Sequence, residues 1–164
     1  MTNNVNQAQP SLVAPGVLLA TWFGVGYLPK APGTWGSAAA LPFAWVILSF
    51  FGAQGLLVAT VFVFGIGIWA ANDYVARSGM EDPGPVVIDE VAGQWLVLAV
   101  VPLELAWFAI GFALFRLFDV AKPWPVNLMD RHIKGGFGVM LDDIGAGIYA
   151  IIAVYALQWA WAVW

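Results

Sequence analysis

The chain contains no cysteine. That excludes disulfides, thiolate metal sites and phosphatases built on a cysteine nucleophile. Histidine is almost as scarce: His132 stands alone, so an imidazole-rich metal centre is excluded too. Charge is the third shortage. Only 10% of the 164 residues are Asp, Glu, Lys or Arg, against roughly 25% in a soluble domain. Too little polar surface remains to cover a water-exposed globule, and neither disorder nor a coiled coil fits. Six Lys and Arg face ten Asp and Glu, with no basic stripe, so nucleic acid is not a partner. What the chain has in abundance is apolar: 62% hydrophobic residues and ten tryptophans, with a mean hydropathy of +0.82. This composition suits a bilayer, where indole rings settle at both interfaces. The length is that of one domain.

Crossing the hydrocarbon takes about 20 apolar residues. Five stretches approach that: 37–51, interrupted by Pro42, then 55–71, 86–101, 105–120 and 141–164. The expected fold is therefore all-α, a polytopic membrane bundle of about five transmembrane helices. Residues 17–28 are too few to span and are expected to form a short interfacial or re-entrant segment. Residues 1–15 are expected to be a flexible tail, and 16–164 one transmembrane domain. The start is polar and has no basic n-region, so no secretory signal is expected.

Lys and Arg fix the expected orientation. Lys30, Arg77, Arg116, Lys122, Arg131 and Lys134 all fall on one side of these spans, and 52–54, 102–104 and the C-terminus hold none. The basic side, with the N-terminus, is expected to be cytoplasmic. Every acid except Glu104 falls on that same side.

Such clustering opposes both repulsion and desolvation. An ionisable residue costs about 2.5–3.5 kcal/mol or more near a span's centre and less near its end. Two adjacent pairs, Asp89 with Glu90 and Asp142 with Asp143, open different spans. One acid in a first turn is ordinary, because it meets the positive end of the helix dipole. Two neighbours point about 100° apart and cannot both cap. A hard divalent cation resolves the conflict, and Mg2+ binds through one or two carboxylates plus a substrate phosphate. Arg116 and Asp119 are spaced i,i+3 on one helix face. They fit an ion pair, and the guanidinium fits phosphate equally well. Lys122, Arg131 and Lys134 fit either topology signals or anion contacts. The glycine-rich runs APGTWGS and GGFGVMLDD each enter a span, and backbone N–H groups there can cradle an anion. Thr34 and Ser37 fit helix caps as well as ligands. His132 fits a surface loop or a base.

Taken together, GVGYLPKAPGTWGS, IDEVAGQW, FRLFDVAKPWP and DRHIKGGFGVMLDDIGAG resemble the bacterial phosphatidylglycerophosphatase A family, over residues 16–150. The resemblance implies a Mg2+-dependent phospholipid phosphatase of the bacterial inner membrane. Such an enzyme removes the terminal phosphate of phosphatidylglycerophosphate at the cytoplasmic face, leaving phosphatidylglycerol. On this reading Asp89, Glu90, Asp142 and Asp143 hold one or two Mg2+ and Asp119 assists or orients water. Arg116, Lys122, Arg131, Lys134 and Lys30 meet the phosphate, and Thr34 helps close the site. Direct attack by water is the expected route, with Asp or Thr nucleophiles as alternatives. The Ser-Gly-His and Asp-x-Asp signatures of other phosphatase classes are absent. Two alternatives share the acid cluster: a cation transporter or channel, and a Mg2+-dependent headgroup phosphotransferase. A non-catalytic subunit whose acids dock a partner is a third.

Overall fold

A computed structural model describes residues 9–80, 83–128 and 133–163. Among them every regular element is helical. Helix α1 is Pro15–Ala20, followed by a 3-10 turn at Val25–Tyr27; α2 is Pro32–Ser78, α3 Ile88–Leu98, α4 Leu105–Ala121 and α5 Gly135–Val163. Arg131 and His132, both singled out in the sequence, lie outside the described residues, as does most of the expected N-terminal tail.

The first two expected spans both fall within α2, which breaks at Gly52 (φ 65°, ψ −171°). Unbroken, its 47 residues would reach about 70 Å, more than twice the ~30 Å of hydrocarbon. A side chain would be strained at that φ, so glycine makes the break. Pro42 sits inside the first arm and removes the N–H that would otherwise reach the Ala38 carbonyl.

Helices α2 and α5 are each long and apolar enough to cross a membrane. With 11 and 17 residues, α3 and α4 are shorter than the usual ~20. The most apolar stretch of α2 is only 11% buried, and Phe50, Phe51, Val61 and Phe62 stand out from it. An apolar exterior on this scale marks a membrane-facing surface. The protein is membrane-associated.

The core forms around α3, which packs against α2 and α5. Ile88, Val91, Ala92, Val97 and Leu98 are all buried. The Trp95 indole donates to the Ala40 carbonyl at 2.9 Å and meets the Trp22 ring edge-on. This ties 17–28 down: α1 buries Val17 and Ala20, and the Tyr27 hydroxyl donates to the Pro10 carbonyl at 2.7 Å.

Helix α5 starts at Gly135, six residues before the expected 141. Isolated glycines cost a helix about 1 kcal/mol each, so the sequence alone argues for a loop. Tertiary contact reverses that. Gly136 packs so closely on the Ile68 carbonyl of α2 that a Cβ would collide, and its N–H donates to Asn72 Oδ1 at 2.8 Å.

Candidate active site

Three helix ends converge on one cavity. Helix α3 brings Asp89 and Glu90 in its first turn. From α5 come Asp142 and Asp143, two turns in from its start. The last turns of α4 supply Arg116 and Asp119. One carboxylate oxygen from each of Asp89, Glu90 and Asp143 lies within 4.8 Å of the others. Asp89 and Asp143 are 9% and 4% exposed. Asp89 Oδ1, Glu90 Oε2 and Asp143 Oδ2 are buried without a hydrogen-bond partner. Burying even one such oxygen is costly. Three carboxylates that converge and each carry an unpartnered buried oxygen fit a hard cation with oxygen ligands. The cluster can hold a metal ion.

Adjacent residues on a helix diverge, yet Asp89 and Glu90 both contribute, because different helices pack on their two sides. Asp89 meets Asp143 of α5. Glu90 turns toward α4, where its Oε1 lies 3.9 Å from an Arg116 nitrogen, and toward the first turn of α2. Two glycines make room for this. A Cβ at Gly33 would collide with Glu90 Oε1 and lie 3.1 Å from the Arg116 guanidinium. A Cβ at Gly93 would lie 2.6 Å from the Phe115 ring and 2.8 Å from the Asp143 carbonyl. Gly33 lies in the run APGTWGS, expected to offer backbone N–H groups to an anion, whereas Gly93 was not expected in the site. Gly93 lies four residues after Asp89, a spacing that places it one turn behind the acid on the same face.

The cations are held by acids. Arg116 is paired with Asp119, as the i,i+3 spacing suggests, and its Nε is buried without a partner. Lys122 Nζ lies 2.8 Å from Asp142 Oδ2. Asp142, expected among the metal ligands, therefore lies against an ammonium group, and its Oδ1 accepts the Asp143 N–H at 3.1 Å. Lys122 sits in the left-handed region (φ 41°) as it closes α4.

Around these groups is a cavity of about 620 Å³. Its wall includes Asp89, Glu90, Arg116, Asp119, Lys122, Lys134, Asp142 and Asp143, with Ala31, Pro32 and Gly33 from the start of α2. Two expected substrate contacts are not in that wall. Lys30 is exposed on the turn before α2, and Thr34 is half-buried in its first turn, with its N–H on the Ala31 carbonyl. Neither Thr34 nor Ser37 caps α2: Ala31 holds that position without a side-chain bond, and the Ser37 hydroxyl donates to the Gly33 carbonyl at 2.9 Å.

Fold and cavity together define a membrane-associated helical protein with an acidic, metal-capable centre set beside fixed cations. The chain belongs to the phosphatidylglycerophosphatase A family, whose pattern it matches over residues 18–158. It is 41% identical to phosphatidylglycerophosphatase A of Haemophilus influenzae, over 97% of this chain and 98% of that one. To the Escherichia coli protein of the same name it is 36% identical, over 96% and 92%. A Bacteroides thetaiotaomicron protein with the provisional name phosphatidylinositol-3-phosphatase is 42% identical, over 87% of this chain and 93% of that one. No solved structure matches the chain.

Proposed function

We propose that the protein is a Mg2+-dependent phosphatidylglycerophosphate phosphatase of the bacterial inner membrane, acting at the cytoplasmic face. The observation that carries this reading is the convergence of Asp89, Glu90 and Asp143 beside Arg116, in an apolar chain of this family. Water and the lipid phosphate monoester give phosphatidylglycerol and inorganic phosphate. Asp89, Glu90 and Asp143 would hold the ion, with Asp142 at the edge of the same cluster. When bound, Mg2+ supplies Lewis-acid polarisation and an activated nucleophile at neutral pH.

The chain's own residues do the rest. Arg116, steered by Asp119 and Glu90, presents a fixed guanidinium to the phosphate oxygens. Lys122, guided by Asp142, and Lys134 add positive charge along the wall. Lys30 and Thr34, around the start of α2, would act from the rim, and Arg131 is proposed as a further substrate contact. Positioning and preorganised charge matter greatly here, because uncatalysed monoester hydrolysis needs up to ~10²¹-fold acceleration.

The proposed topology has five crossings: the two arms of α2, residues 86–101 around α3, α4 and α5. The N-terminus and the cavity face the cytoplasm. One-sided Lys and Arg support that orientation.

Purified protein incubated with phosphatidylglycerophosphate should release phosphate with Mg2+, stop in EDTA and recover when Mg2+ is restored. No release in either condition would sink the proposal. Phosphatidylinositol 3-phosphate belongs in the same assay, since one relative's name points to it. A transporter would instead show cation flux in proteoliposomes and hydrolyse nothing.

A further inference from the structure

A second hollow, of about 300 Å³, lies between the first arm of α2 and the start of α4. Leu41, Pro42, Trp45, Leu105, Phe108 and Ala109 line it, with no charged group among them. The Trp45 and Phe108 rings meet edge-on, centroids 4.9 Å apart, and stiffen its wall. Leu105 and Ala109 are exposed, so the hollow opens to the apolar exterior.

Its relation to the polar cavity gives it meaning. Both hollows are lined by α2 and α4. On α4, positions 105, 109, 112, 116 and 120 follow in steps of three or four, which keeps them on one face. On α2, Gly33 lines the polar cavity and Leu41 and Trp45 line the hollow further along the same arm. Along the helix axes, Gly33 to Trp45 is about 18 Å and Asp119 to Phe108 about 16 Å. That is roughly half the thickness of the hydrocarbon. A lipid whose phosphate occupies the polar cavity carries its chains away from the headgroup plane over that same distance.

We propose that the hollow between α2 and α4 seats one acyl chain of the lipid phosphate monoester whose headgroup enters the polar cavity. The inference rests on the lipid phosphatase reading and adds a specificity site to it. The chain leaves one apolar medium for another, so the hydrophobic effect contributes little. What the hollow supplies is close packing and a fixed direction, which aligns the scissile phosphate.

The test is Ala109→Trp, which fills the hollow from an exposed position and leaves the polar cavity's wall intact. Two substrates are compared: long-chain phosphatidylglycerophosphate and its fully deacylated headgroup. The kcat/KM for the long-chain lipid should fall about tenfold, and that for the headgroup should not change. Equal losses on both substrates, or no loss on the lipid, would overturn the proposal. A second arm does not depend on turnover. Phosphatidylglycerophosphate with a diazirine midway along one chain should photolabel residues 41–45 and 105–109 of the wild-type protein, with unlabelled phosphatidylglycerophosphate competing and phosphatidylcholine not. Equal competition by phosphatidylcholine would reduce the hollow to a boundary-lipid groove. If the wild type hydrolyses neither substrate, the phosphatase reading fails, and the labelling pattern alone decides the hollow.

Discussion

The two ends of the first arm of α2 obey different rules. At Pro32 and Gly33 the helix presses against Glu90 and Arg116 so tightly that a single added carbon would displace them. Toward Gly52 there is no neighbour within 4 Å of a Cβ, and Phe50 and Phe51 are 78% and 72% exposed. One end is specified atom by atom, the other only by being apolar. The charged cavity lies where small residues let charged groups enter the packing, while the exterior is simply apolar.

The sharpest way to break that contrast is at the carboxylates. Asp143→Asn or Asp89→Asn should lower phosphatase activity more than about 100-fold, beyond what is usual for groups that merely orient metal ligands, with helical content retained by circular dichroism. Activity within threefold of wild type would erase the distinction between the two ends. Next in size is Gly33→Val, which changes no ligand but displaces Glu90; a loss of about 10–100-fold is expected. Gly65→Ala, with open space around it, should stay within about twofold. The Lys122–Asp142 pair should have a smaller effect than the carboxylate and Gly33 changes. In a double-mutant cycle with Lys122→Met and Asp142→Asn, chemical denaturation in detergent should give a coupling of about 1 kcal/mol. A coupling near zero would mean that the contact does not hold Lys122 in place. Smallest of all, Phe62→Leu on the exposed face should shift stability by no more than about 0.5 kcal/mol and leave turnover unchanged.

Much of this was legible in the sequence, for physical reasons. A charge in an apolar chain is costly, so the acid pairs of α3 and α5 and the Arg116–Asp119 spacing stood out against their surroundings. Expected at 105–120, α4 is observed at Leu105–Ala121, because eleven apolar residues run unbroken by Pro or charge from Leu105 to Phe115. Glycine was harder to read. Gly135 to Gly138 read as a loop by propensity, but contact with α2 makes them helix. Gly33 and Gly93 matter for the space they leave to residues on other helices, and local spacing says nothing of that. The pairing of Asp142 with Lys122 is likewise a contact across 20 residues.

The hydrogen bond from the Gly136 N–H to Asn72 has a consequence for how the centre keeps its dimensions. Asp142 and Asp143 ride on the same rod, roughly 10 Å further along, so α2 serves as the datum from which their height is set. A side chain outside the cavity thus helps set the position of two that line it. A loosened mooring there would be felt as a change in the spacing of the cavity's carboxylates.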